Sequence, residues 1–162
     1  MIVTEVAQRA SKVLEDLLAA IENIPAALLT APKAIGEWSV KDVLGHIIAW
    51  EEEAANALAT WKIGVEPDWN HIRDIDEFNA SAVKEKRKQS SAKIIEQLKS
   101  VHTRIIENIK TVQDQEYAKR GGIPRWLVNL IIDHVDEHLQ RIIEYKNTIG
   151  PELLEPEIKP AE

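Results

Sequence analysis

The 162-residue sequence contains no cysteine. Disulfide bridges, thiolate nucleophiles and cysteine-ligated zinc are therefore excluded. Lysine and arginine are in the minority, 20 against 27 aspartates and glutamates, which gives a formal charge of −7. An acidic chain argues against a nucleic-acid partner, because phosphate recognition relies on clustered cations. The one basic cluster, Lys84 to Lys88, sits among acidic and polar residues and reads as a solvated helix face. Long apolar runs are lacking: Leu127 to Ile132 is stopped by Asp133, well short of a bilayer span, so no membrane partner is expected. The start, Met1-Ile2-Val3-Thr4-Glu5-Val6, has no basic region followed by an apolar stretch. No secretory leader is expected, and the cytoplasm is the expected address. No phosphate-cradling glycine loop, EF-hand loop or Ser-His-Asp arrangement is found. The composition, 44% hydrophobic and 29% charged, is that of a soluble globular protein, and the length fits one domain.

What is present is helical periodicity in four segments. Val6, Ala10, Val13, Leu14, Leu17, Leu18 and Ile21 recur at three- and four-residue steps, predicting a first helix over about Thr4 to Asn23, closed by Pro25. Ser39 followed by Asp42 is close to a capping box, with Trp38 and Val43 placed as a hydrophobic staple. A second helix is predicted from there to about Lys62, before Gly64. The ten residues that follow, Gly64 to Arg73, exceed the roughly 2–8 of a tight helix turn and can cross the end of a bundle. That length favours second and third helices running the same way. The third helix opens at the cap Asp74 with Glu77 and reaches about Ile109 or Val112, either unbroken or with a break near Ser90-Ser91. After Gly121-Gly122, Pro124 suits the first turn of a fourth helix running to about Thr148. Residues 1–150 are expected to form one domain and residues 151–162 a flexible tail.

Five histidines are available, and the pair His134 and His138 carries the most chemistry. Four residues apart on a helix, they point the same way and can reach one divalent ion. Such a pair also occurs as hydrogen-bonded core or surface histidines. A mononuclear site needs a third ligand, and His46, on the core side of the second helix, is the candidate. Asp133 reads as a solvated acidic edge. Glu137 is a candidate base or substitute ligand. Trp50, one turn after His46, and Trp61 and Trp69 are candidates for lining a cavity at the crossover end. Trp38 and Trp126 read as packing residues. His71 and His102 read as structural or exposed.

The string Gly36-Glu37-Trp38-Ser39-Val40-Lys41-Asp42-Val43-Leu44-Gly45-His46-Ile47-Ile48-Ala49-Trp50-Glu51 resembles the second-helix signature of the DinB/YfiT superfamily. Asp133 to His138 resembles that family's fourth-helix H-x-x-x-H, and Asp74 to Asn79 resembles the start of helix three in its ClbS/DfsB branch. The resemblance covers nearly the whole chain to about residue 150. It implies an all-α four-helix bundle with an up-down-down-up path and a long crossover between helices two and three. It further implies a triad of His46, His134 and His138 holding nickel, zinc or a similar divalent ion. Frequent homodimers are implied too, with a hydrolase or thiol-dependent S-transferase activity on a small molecule. A low-molecular-weight thiol would suit a protein without cysteine. The alternative expectation is a non-catalytic bundle, either binding a small molecule or serving as a structural dimer.

Overall fold

Helix 1 ends where its apolar stripe ends. In the computed structural model, which describes residues 2–156, α1 spans Val3–Ile21 and buries Val6, Ala10, Val13, Leu14, Leu17 and Ile21 on one face. A single turn, α2 (Ala26–Leu29), follows Pro25. Helix α3 (Val40–Lys62) starts on a full capping box. Ser39 Oγ accepts from the Asp42 N–H at 3.0 Å, and the Asp42 carboxylate accepts from the Ser39 N–H at 3.1 Å. Its other end turns on Gly64, whose φ of +89° is left-handed backbone that other residues adopt at a cost. The Gly64 N–H bonds to the Trp61 carbonyl and the Val65 N–H to that of Thr60, so the last carbonyls are satisfied.

The third segment is two helices, not one. Helix α4 (Ile75–Lys86) is capped by Asp74, and α5 (Ser91–Lys110) begins anew at Ser90, whose hydroxyl accepts from the Lys93 N–H. The two differ in character: α4 buries only Val83, whereas α5 buries Ile94, Leu98, Val101, His102, Ile105, Ile106 and Ile109. The short α6 (Asp114–Lys119) and α7 (Arg125–Val128) follow. A π turn, Asn129–Asp133, then leads without interruption into α8 (His134–Thr148). A 3-10 turn at Pro151–Leu153 and a bond from the Glu155 N–H to the Asn23 carbonyl tie the following residues back to the end of α1. Residues 157–162, the rest of the expected flexible tail, lie outside the described residues. No β-strand occurs among the described residues, and none of their helices is long and apolar enough to cross a membrane.

Helix α3 packs on α4, α5 and α8, and α1 packs on α5 and α8. Along α3 and α5 the contacts fall at matching levels. Arg87, just ahead of α5, grips Asp42 with two bonds of 2.9 Å; Glu51 meets His102 in the middle; Lys62 reaches Asn108 at the far end. The two helices therefore run the same way. The start of α1 meets the end of α5, through the Val3 N–H and Asp114, so α1 runs opposite to both. One continuous apolar core joins these helices.

Gly45 lets α4 approach α3. A Cβ there would meet the Cβ of Lys86 at 2.9 Å, closer than side chains tolerate. Glycine in an open helix is worth about 1 kcal/mol less than alanine. At this position the clash outweighs that gain, since overpacking costs about 1–3 kcal/mol. Gly45→Ala is expected to lower stability in urea unfolding, by about 1 kcal/mol net; a rise would show that α4 sits loosely.

Candidate metal centre

His46 lies in the second turn of α3, at the level where α3 meets α8. His134 and His138 lie one turn apart at the start of α8, directly after the π turn, a feature that often marks functional sites. The three rings meet edge-on, with centroids 4.6–4.9 Å apart. His46 Nε2 is 2.9 Å from His134 Nε2, and His138 Nε2 is 3.1 Å from the same atom. One ligand nitrogen from each ring lies within 4.8 Å of the others, an arrangement able to hold a metal ion. Trp38, set by a tight turn in which Ile35 and Trp38 exchange backbone bonds, packs its ring 4.9 Å from that of His46.

Hydrogen bonding alone does not account for this geometry. An imidazole nitrogen has one in-plane position, occupied by either a proton or a lone pair. His134 Nε2 can therefore make one good bond in its plane, yet two nitrogens approach it. Three lone pairs directed at a shared cation remove the conflict. A tetrahedral zinc with nitrogens at about 2.0–2.1 Å would set them about 3.3 Å apart, a few tenths of an ångström from the two spacings to His134 Nε2. The donor set thus fits a divalent ion, and imidazole suits zinc and nickel. The Nδ1 atoms of all three rings are buried without a protein partner, so the rings are held by packing.

Burial also keeps the three rings neutral. It pushes His46 down to about 4, helped by the neighbouring His134. It pushes His138 down to about 3, helped by His134, His46 and Arg141. His134 is lowered by burial as well, while Glu137 pulls the other way. At neutral pH each ring offers a free lone pair, the state that binds a metal.

The rings open onto a cleft of about 330 Å³. Trp50, Ile75 and Leu130 form its apolar wall, and Asn79 and Glu137 supply its other polar groups. Glu137 is exposed at the rim. A larger groove, about 940 Å³, lies elsewhere, between α1 and residues 110–115, and has no convergent ligand set. Of the tryptophans considered from sequence, Trp50 lines the histidine cleft, and Trp61 and Trp69 do not. Trp61 stacks on Tyr117 at 5.2 Å with the Arg120 guanidinium over its other side at 3.5 Å, and Trp69 packs against Trp126. His71 is exposed and paired with Glu53 at 2.7 Å, and Asp133 is exposed beside Arg9. His102 is buried and joined to Glu51.

Two site features are missing from the sequence reading: Asn79, which accepts from the Trp50 indole N–H at 2.9 Å, and Phe78, whose ring lies 4.8 Å from that of Trp50. Both lie on α4, which buries only Val83. The signal available was the Asp74 cap, which fixes where the helix starts.

The profile of the DinB superfamily matches residues 9–142, a stretch that includes all three histidines. No curated protein and no solved structure gives a significant match.

Proposed function

The chain belongs to the DinB superfamily, and from that premise we propose that it is a divalent-metal-dependent enzyme acting on a small molecule, as a hydrolase or thiol-dependent S-transferase. The observation that carries this reading is the double approach of His46 and His138 to one nitrogen of His134. In this proposal the fold is a four-helix up-down-down-up bundle over residues 1–150, cytoplasmic and homodimeric. His46, His134 and His138 hold zinc or nickel. When bound, the ion supplies Lewis acidity and lowers the pKa of a ligand at its open position.

The chain's own groups do the rest. The three imidazoles stay neutral and keep their lone pairs on the cleft side. Trp50, Ile75 and Leu130 give the cleft an apolar wall. Glu137, at the rim on the same helix as two of the histidines, holds or takes up a proton from the substrate. No thiol comes from the chain itself, so the S-transferase branch requires a low-molecular-weight thiol as co-substrate.

The test uses protein purified without a histidine tag. One divalent ion per chain is expected by elemental analysis, with activity on activated esters or on thiol acceptors lost on chelation and restored by metal. His46→Ala should empty the site. Stoichiometric metal in that variant would sink the triad. No metal in the parent, together with an apolar ligand that quenches tryptophan fluorescence, would instead make the cleft a non-catalytic binding site.

A further inference from the structure

We propose that Asn79 is a positioning residue that donates a hydrogen bond to a carbonyl or carboxylate oxygen of whatever small ligand enters the histidine cleft. The inference rests on the metal reading above and adds the residue that orients the incoming group.

Trp50 sets the orientation of the Asn79 side chain. An indole N–H can only donate, so the atom of Asn79 facing it at 2.9 Å is the amide oxygen. The amide's orientation is thereby fixed, and its two N–H donors are turned away from Trp50. Trp50 is held in turn, its ring 4.8 Å from Phe78 and 6.5 Å from His134. Asn79 lines the same cleft as the three histidines. A fixed amide is thus placed at the mouth of three convergent lone pairs.

The character of α4 strengthens the assignment. With one buried residue, Val83, this helix adds little to the core. Its close approach at Gly45 and its contacts with Trp50 hold it over the cleft instead. Glu137 on the opposite helix supplies the cleft's negative group. The remaining donor capacity therefore lies on Asn79, and an oxygen acceptor on the ligand is its complement.

The test loads the untagged protein with cobalt(II) and follows its visible absorption as ligands are added. Two probes are compared: acetohydroxamic acid, which carries a carbonyl acceptor, and 1-methylimidazole, which keeps neither donor nor acceptor once its nitrogen is engaged. Asn79→Leu is expected to weaken acetohydroxamic acid about ten-fold, the worth of one hydrogen bond. Affinity for 1-methylimidazole should stay within about two-fold and cobalt at one per chain. Trp50→Phe keeps an aromatic ring beside Phe78 but frees the amide, and should give a smaller loss of the same selectivity; it also serves if Asn79→Leu does not fold. Equal losses for both probes, loss of cobalt from Asn79→Leu, or unchanged acetohydroxamic acid binding would each overturn the proposal. Failure of the parent to bind cobalt would overturn the metal reading itself, a distinct outcome.

Discussion

Saturating zinc or nickel is expected to raise the melting temperature by roughly 8–16 °C, and His134→Leu to abolish the rise while melting above the parent in chelator. A ligand at a thousand times its dissociation constant stabilises the native state by about 4 kcal/mol. For a chain of this length each kcal/mol moves the midpoint by about 2–4 °C. The gain in chelator follows from what the empty cluster costs. Two buried rings and the half-buried His134 crowd one another, and their buried Nδ1 atoms have no partner. An unsatisfied buried polar group costs about 1–3 kcal/mol, and leucine removes one such group together with both close nitrogen contacts. The same cost gives a pH dependence. His46 ordinarily titrates at 6.5 and is held at about 4 in the fold, and His138 at about 3. Below pH 6.5 the unfolded chain therefore takes up protons that the folded chain refuses. The contribution of these two rings to the stability of the metal-free protein is full above 6.5 and falls as the pH drops toward 4. Urea unfolding in chelator at pH 7 and pH 5 reads this directly. A flat profile, or a chelated His134→Leu protein that melts below the parent, would show that the rings are solvated rather than strained together.

Local rules carried the helix boundaries. Ser39 with Asp42 fixes the start of α3, Gly64 its end, and Ser90 the break between α4 and α5, because each satisfies backbone groups within a few residues. The faces of the histidines were equally legible, since helical period alone places His134 above His138 and turns His46 inward. Distance along a helix keeps Trp61 out of the histidine cleft; it lines a separate groove at the start of the crossover, with Gly64 and Arg120. Trp61 is eleven residues after Trp50, nearly the same face, but about 16 Å further on at 1.5 Å per residue. It therefore meets Tyr117 and Arg120 rather than the histidines. Apart from His46 with the fourth-helix histidines, pairings between distant segments were not legible. Trp50 with Asn79 joins residues 29 apart, and nothing in the spacing of either helix selects the other.

The buried pair of Glu51 and His102 shows the same gap, and it sets the second large effect. Glu51 sits in the core register of α3 between Ile48 and Ala54, and His102 in that of α5 between Leu98 and Ile105; each is an ionisable group where the periodicity calls for an apolar one. Both are essentially without solvent contact. The Ala10 carbonyl only accepts, so His102 Nε2 carries a proton and donates to it at 2.7 Å. One further proton lies between His102 Nδ1 and Glu51 Oε1, 2.5 Å apart. Burial raises Glu51. It also pulls His102 down most strongly of all influences, but the bond and charge of Glu51 overcome it, so His102 is raised. The pair titrates as a unit. Glu51→Leu alone strands a buried imidazole and is expected to cost about 3–5 kcal/mol, the usual loss on breaking a buried pair from one side. Adding His102→Leu should recover most of that loss, because two apolar side chains replace the pair and the Ala10 carbonyl keeps its helical donor within α1. Urea unfolding of the two single variants and the double variant measures the coupling. Purely additive losses would mean that neither residue depends on the other, and that packing around α1, α3 and α5, not the shared proton, fixes how these helices meet.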